Sequence, residues 1–299
     1  MSADTNTDGD IALRLKGHEH DLGDGFIVRR LLPSGMRQAV GPILFFDHFG
    51  PVDIAPGKGN NVRPHPHIGL ATVSYLFDGA IMHRDSLGSA QRIEPGAINW
   101  MTAGSGIVHS EREPEDLQGT AYKLHGIQLW AALPVAHEET APTFAHTPAS
   151  SIPSATADDA AVRVLIGSAF GVTSPVQTFS DTLYLDVSLP HGGGITLPAL
   201  AQEMAIYPLD GALSVGGETA EPSVLAVLKP GTPVRVEADG ARRFMVIGGE
   251  PLESHRFMWW NFVSSRKERI EQAAADWEAQ RIGKVAGDDE FIPLPPLKK

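Results

Sequence analysis

The stretch NVRPHPHIGLATVSYLFDGAIMH, residues 61–83, sets two histidines, His65 and His67, around Pro66 and ahead of a strand-like apolar run. Its centre, YLFDGAI from Tyr75, returns as YPLDGAL from Tyr207. Pro95-Gly96 returns as Pro230-Gly231 at nearly the same separation, and each pair precedes a strand-like run. Two matches in the same order at nearly one offset predict duplicated barrels. Between and around them lie short apolar runs: FIVRRLL, GPILFFD, AINWM, KLHGIQLWAAL, RVLIG, LYLDVSL, EMAIYPL, SVLAVL, PVRVEA and RFMVIGG. With 31 Gly and 23 Pro as punctuation, this is the pattern of an antiparallel all-β barrel or sandwich.

Helix is expected only near the carboxyl end. SSRKERIEQAAADWEAQRI offers Ser265 and, three residues on, Glu268 as a capping box, then Ile270, Ala273, Ala274 and Trp277 at helical spacing. The tail EFIPLPPLKK reads as extended. Between Pro134 and Ala161 the chain turns to Ala, Pro, Thr and Ser with weak periodicity and reads as a connector.

Composition narrows the chemistry. Against 24 Lys and Arg stand 36 Asp and Glu, a formal net charge of -12, which disfavours direct contact with nucleic acid. There is no cysteine, so any bound metal must be held by His and carboxylates. The polar, acidic start MSADTNTDGD reads as a frayed leader with neither the basic start nor the apolar core of a secretory signal. No apolar run approaches the roughly 20 residues of a membrane span. A cytoplasmic location and no membrane partner are expected.

In an extended chain residues i and i+2 share a face, and Pro66 favours extension, so His65 and His67 can project together. The segment MTAGSGIVHSEREPED repeats that spacing in His109 and Glu111, after a turn supplied by Gly104 and Gly106. Two such strands side by side would gather three imidazoles and one carboxylate. That set suits Fe(II), Mn, Ni, Cu or Zn with coordination positions to spare. The offset from Tyr75 to Tyr207 carries His65-Pro66-His67 onto Leu197-Pro198-Ala199, so the second copy is expected to be a scaffold without ligands. His18-Glu19-His20 has the same spacing but no matched pair, and reads as surface. His48 reads as a strand-end histidine, His83 and His125 as structural, and Phe45, Phe46, Trp100 and Met101 as core. Trp259 and Trp260 are expected to pack the helix or a domain interface.

RPHPHIGLATVSYLFDGAIMHRDSLGS followed by PGAINWMTAGSGIVHSE resembles the signature of the pirin family, and LFFDHFGPV and RFMWWNFVSSRKERIEQAAADW extend the likeness across most of residues 10–290. The resemblance implies an all-β fold of two cupin (jelly-roll-like) β-barrels in tandem with a carboxyl-terminal amphipathic helix. Together with the connector and the repeat, this gives an expected flexible leader at 1–10, a metal-binding cupin barrel at 11–140, a connector at 141–160, a degenerate cupin barrel at 161–260, and the helix and extended tail at 261–299. Carried over residue by residue, the metal ligands are His65, His67, His109 and Glu111, with Glu111 also a candidate proton acceptor. Many cupins take a carboxylate ligand shortly after HxH; here that position holds only Ala71 and Thr72, which leaves Glu111. The implied cofactor is one divalent metal in the first barrel, with Fe(II) foremost. The implied activity is that of a dioxygenase resembling quercetin 2,3-dioxygenase, with a small aromatic substrate and O2 as partners. The resemblance equally implies an alternative, a non-enzymatic iron-binding regulator that meets a protein partner according to metal oxidation state. A metal-dependent isomerase or hydrolase would use the same ligands.

Overall fold

Short runs of alternating apolar and polar residues, each closed by Gly or Pro, build antiparallel sheets, with Leu70–Asp78 paired antiparallel to Tyr122–Ala132 and Thr182–Leu189 to Arg242–Gly249. The structure, a computed structural model, describes residues 9–21, 27–59 and 61–296. Residues 1–8 of the expected leader lie outside them. Among the described residues no helix is long and apolar enough to cross a membrane.

The described residues form two compact units, one of residues 19–21, 27–28, 47–59, 61–149 and 252–296, the other of residues 9–18, 29–46 and 150–251. The first, the amino-terminal barrel, contains a four-stranded sheet of β1 (Val62–His67), β2 (Ile81–Asp85), β3 (Ala90–Ile93) and β4 (Ile107–Arg112) in the order β1-β4-β2-β3. The carboxyl-terminal barrel repeats this with β5 (Gly194–Leu197), β6 (Leu213–Val215), β7 (Glu218–Ala220) and β8 (Val234–Glu237) in the order β5-β8-β6-β7. The facing sheets repeat as well. Ile98–Thr102, Leu70–Asp78 and Tyr122–Ala132 are neighbours in the first, as are Val224–Leu228, Glu203–Pro208 and Arg242–Gly249 in the second. Both units are cupin barrels.

The division is not contiguous along the chain, as a boundary within 141–160 would have it. Ile11–Lys16 pairs with Val224–Leu228 of the carboxyl-terminal barrel, with Ile11 and Leu15 buried, while residues 252–296 belong with the amino-terminal barrel. The expected connector also holds strands. Thr143–Thr147 pairs with Ile98–Thr102, and Ser154–Ala157 with Ala160–Ile166. Both lie at sheet edges, where a strand needs no apolar face of its own and the alternation that would betray it is weak.

The duplicated motif YLFDGAI/YPLDGAL occupies one place in both barrels, the turn between Leu70–Asp78 and β2 and the turn between Glu203–Pro208 and β6. The Pro-Gly pairs do not correspond. Pro95-Gly96 precedes Ile98–Thr102, whereas Pro230-Gly231 precedes β8 and so stands where Gly104 and Gly106 stand before β4.

The single α-helix among the described residues, α1 (Lys267–Glu278), buries Ile270, Ala273 and Trp277. They join Ile68, Val108 and Phe262 in one apolar cluster, on which Trp259 and Trp260 also pack. The expected capping box is absent: Arg266 is the N-cap and makes no side-chain cap bond. Ser265 is engaged elsewhere, its Oγ donating to Glu138 Oε2 at 2.9 Å and its backbone N–H to Glu138 Oε1 at 2.8 Å. Glu138 is itself buried against Arg256, with Nε 3.0 Å from Oε1. Arg256, fully buried, donates through its remaining nitrogens to the carbonyl oxygens of Ser254 and Leu133. This buried pair ties the segment before α1 to the barrel loop after Ala132. Replacing one member strands the other in a dry interior, a loss of about 3–5 kcal/mol. Arg256→Met is therefore expected to lower unfolding free energy by about that amount in urea titration; a loss under about 1 kcal/mol would show that solvent reaches Glu138.

Candidate metal centre

Two antiparallel pairings build the site. Between β1 and β4, His65 pairs with His109 and His67 with Ile107; between β4 and β2, His109 pairs with Asp85 and Glu111 with His83. Directly opposed residues share a face and so do residues two apart, so the side chains of His65, His67, His109, Glu111, His83 and Asp85 all issue from one side of this sheet. The turn ahead of β4 depends on Gly104, with φ of 51°, where a Cβ would overlap the carbonyl oxygen of Thr140.

Three of the six converge. One ligand nitrogen from each of His65, His67 and His109 lies within 4.8 Å of the others, and all three residues are buried. The ring centroids stand 4.4 Å apart for His65 and His109 and 5.0 Å for His67 and His109. Trp130 meets His67 edge-on at 5.1 Å. A carbonyl can only accept, so the 2.8 Å contact between His65 Nδ1 and Arg63 O places a proton on Nδ1 and leaves Nε2 as a lone pair. Nε2 of His67 and His109 are 3.1 Å apart, close to the edge of a coordination polyhedron with bonds of about 2.1 Å.

Burial keeps these imidazoles neutral. It lowers His65 to about 4, against a partly offsetting hydrogen bond to Arg63 and with a further push from His83. His67 and His109 are held well below the ordinary histidine range, first by burial and then by the neighbouring imidazoles. Nδ1 of His67 has no hydrogen-bond partner of full geometry, although the Asn261 backbone lies near enough to favour its protonated form. Neutral imidazoles with converging lone pairs in a buried site fit a divalent first-row ion.

Glu111 stands on the same face, yet its carboxylate oxygens lie outside the 4.8 Å group. Burial of the carboxyl pushes it up to about 7, while the residue keeps part of its surface exposed at the outer end of β4. His83 and Asp85 are buried beside the cluster. His83 Nε2 lies 3.0 Å from Asp85 Oδ2, and His83 Nδ1 lies 3.4 Å from Nδ1 of His109. Asp85 Oδ1 accepts the backbone N–H groups of Leu87 and Ser89 at 2.9 and 3.0 Å. Burial raises its carboxyl, but the bonds from His83 and Ser89 outweigh that and hold it below the usual carboxylate range. Sequence reasoning assigned His83 to structure and passed over Asp85. The available signal was the HRD triplet on β2, which has the same i, i+2 spacing as HPH and HSE.

Other candidates lie apart. His48 and His125 form their own pair, Nε2 to Nε2 at 2.8 Å, and neither belongs to the three-histidine group. Phe45, Phe46, Trp100 and Met101 are buried core, and His18-Glu19-His20 lies on an exposed strand. A cavity of about 950 Å³ belongs to the carboxyl-terminal barrel and is lined by residues such as Asp181, Glu203 and Glu250, with no imidazole in it.

Register shows what the second barrel did with the same positions. β8 begins with Val234 opposite Leu197, the last residue of β5, as β4 begins with Ile107 opposite His67, the last residue of β1. The equivalents of His65, His67, His109 and Glu111 are thus Ile195, Leu197, Val236 and Ala238. The simple offset read from Tyr75 to Tyr207 misplaces the pair by two, because the loop between β5 and the next strand is longer than the one between β1 and its own. By the pairing of Val215 with Val236, Asp85 and His83 correspond to Val215 and Leu213. All six replacements are aliphatic members of one buried core cluster.

Comparison with known proteins agrees with both halves. A pirin family model matches residues 25–131, and a model of the pirin C-terminal cupin domain matches residues 184–283. The chain is 44% identical to a pirin-like protein of Caulobacter vibrioides across 95% of this chain and 99% of that one. It is 37% identical, across 95% of this chain and 90% of the relative, to a Pseudomonas aeruginosa protein provisionally named quercetin 2,3-dioxygenase. It is also 33% identical to human pirin, covering 91% of this chain and 93% of that one. Among solved structures, a quercetin 2,3-dioxygenase from Acinetobacter baumannii aligns with a TM-score of 0.89 at 33% identity, covering 95% of each chain. The bacterial pirin YhhW of Escherichia coli, in complex with nickel(II), shares the fold at a TM-score of 0.63 and 17% identity, over 80% of this chain and 99% of that one. With both cupin domains matched and such relatives spanned almost end to end, the chain belongs to the pirin family.

Proposed function

We propose that this protein is a mononuclear metal-dependent dioxygenase that cleaves a flavonol-like aromatic with O2, its metal held by His65, His67 and His109. The observation that carries the reading is the convergence of three buried, neutral imidazoles on one face of a cupin sheet, with a carboxyl beside them whose pKa burial raises to about 7. The relatives named for quercetin 2,3-dioxygenase support the reaction class. Iron(II) is the proposed ion, and the nickel(II) in the Escherichia coli relative supports a divalent ion generally.

The ion supplies Lewis acidity toward a hydroxyl next to a carbonyl and redox chemistry toward O2. The protein supplies position. His65 is fixed by its bond to Arg63, and His67 by the edge of Trp130. Glu111, on the partly exposed side of the cluster, is the proposed acceptor of the substrate hydroxyl proton, and its carboxylate would be the fourth group to hold the ion. In the overall reaction both oxygen atoms enter the cleaved product and one ring carbon leaves as carbon monoxide. Relatives named pirin support a second reading, a non-enzymatic iron-binding regulator that meets a protein partner according to metal oxidation state. A stoichiometric partner recovered only with ferric protein, together with no turnover, would favour it.

His65→Ala is expected to weaken metal binding by more than about 100-fold, beyond the cost of losing an outer-shell partner, and to abolish aerobic quercetin turnover with it. Turnover that survives the substitution overturns the assignment. Glu111→Gln is expected to lower turnover by about 10²- to 10⁴-fold, with carbon monoxide release falling in step.

The metal-free protein should also lose stability on acidification. Because folding lowers His65 from 6.5 to about 4, its contribution is full above pH 6.5 and is lost as pH falls toward 4, where the unfolded chain takes up a proton that the folded one refuses. The difference is about 3 kcal/mol, and His67 and His109 act in the same direction. Glu111 opposes them: raised from 4.5 to about 7, it stabilises at low pH and loses that effect as pH rises through 7. Three imidazoles outweigh one carboxyl. Chelator-treated protein should therefore unfold at lower urea at pH 5 than at pH 7, with a shallower pH dependence in His65→Leu.

A further inference from the structure

We propose that Asp85 and His83 are positioning residues that fix the tautomer of His109, so that its Nε2 lone pair is already directed into the cluster before any ion arrives. The inference rests on the metal-site reading above and goes beyond its ligand set.

The chain of hydrogen bonds has one direction. Asp85 is anchored at Oδ1 by two backbone N–H groups, which leaves Oδ2 as acceptor for Nε2–H of His83 at 3.0 Å. A neutral imidazole with its proton on Nε2 has a lone pair on Nδ1, and this faces Nδ1 of His109 at 3.4 Å. His109 must then carry its proton on Nδ1 and donate it to His83, which bares its Nε2. Beyond it, Nε2 of His67 lies 3.1 Å from Nε2 of His109, a spacing at which one ion would meet both lone pairs. The donors of His109 and His83 both point toward Asp85, and aligned hydrogen bonds polarise one another. Phe144 stacks on the His83 ring at 4.3 Å and 15°, which holds the ring plane.

Two further observations bear on this. The pair sits opposite the ligands by register, His109 against Asp85 and Glu111 against His83. In the carboxyl-terminal barrel the positions of Asp85 and His83 are Val215 and Leu213, lost to aliphatics along with the four equivalents of the ligand positions. The pair is polar only in the barrel that holds the three-histidine cluster.

Asp85→Asn gives a sharp test. The Leu87 and Ser89 N–H groups hold the amide oxygen at the Oδ1 place, so NH2 takes the Oδ2 place and donates to His83 Nε2. His83 then carries its proton on Nδ1, His109 is driven to the Nε2–H form, and the series reverses. Imidazole 1H–15N correlation spectra of the metal-free protein should show His109 protonated on Nδ1 in the wild type and on Nε2 in D85N. Zinc affinity, measured by chelator competition, should fall about 10- to 100-fold in D85N. It should recover in part in D85N/H83F, where the reversed donor no longer reaches His109, an improvement that simple structural damage would not produce. The same His109 tautomer in wild type and D85N, a zinc affinity in D85N within twofold of wild type, or a double variant no tighter than D85N overturns the proposal. If D85N does not fold, H83F alone decides, since unchanged 15N shifts of His109 in it also overturn the proposal. Wild-type protein that binds no zinc would refute the metal-site reading, and the tautomer spectra, which need no metal, would still judge the relay.

Discussion

The pairing of β4 with β1 on one side and β2 on the other is the constraint from which the site follows. Side chains in a strand alternate with a period of two, and a slip of one residue would turn the whole polar set to the opposite face. His109 is opposed by His65 on one flank and Asp85 on the other, so one residue fixes the register of three strands at the cluster. Gly104, the prolines of β1 and the segment from Ser86 to Ser89 hold that register at the strand ends. Ser86 donates its N–H to Val108 O and accepts the Val108 N–H at Oγ, which locks the turn of β2 to β4 one residue from His109.

The two barrels are a controlled comparison within one chain. They share sheet order and turn placement, and they differ at six inward positions, polar in one and aliphatic in the other. Burying a polar group costs free energy unless it is hydrogen-bonded, and aliphatic side chains of similar size stabilise the same interior through the hydrophobic effect. The second barrel shows that this lattice folds with Ile195, Leu197, Leu213, Val215, Val236 and Ala238 in place. The polar face of the first barrel is therefore not a requirement of folding. Its desolvation cost is limited by keeping the imidazoles neutral and by giving Asp85 two backbone donors and an imidazole.

Much of this was legible from residue spacing alone. The strands declared themselves through Gly- and Pro-bounded apolar runs, and HPH and HSE through their shared spacing. HRD carries the same spacing, but a histidine between Met82 and Arg84, with no glycine turn to announce it, reads as ordinary strand; only the pairing of β2 with β4 brings it to the site. The repeat was visible, while its exact alignment was not, because a longer loop after β5 shifts the offset. The edge strands Thr143–Thr147 and Ser154–Ala157 were hidden for want of an apolar face, and the membership of Ile11–Lys16 in the far barrel is a long-range pairing with no local signature. The capping box failed for a tertiary reason, since Glu138 competes for Ser265.

That competition links the helix to the site. α1 packs Ile270, Ala273 and Trp277 against Ile68 and Val108, the residues next to His67 and His109 in the chain. Beyond the helix the chain returns across β1 and β4. The Ile292 N–H donates to Pro64 O, Trp277 Nε1–H donates to Ile292 O, and Arg112 meets Asp288 through two nitrogens at 2.9 and 2.7 Å. A bidentate guanidinium–carboxylate pair fixes orientation as well as distance. The strands that bear the three histidines are thus held from inside by their pairing and from outside by α1 and the tail. A helix that looks peripheral in sequence packs on the side chains of Ile68 and Val108, each next to a histidine of the cluster, so a cavity opened beneath Trp277 would be felt at the imidazoles as lost precision before it was felt as lost fold.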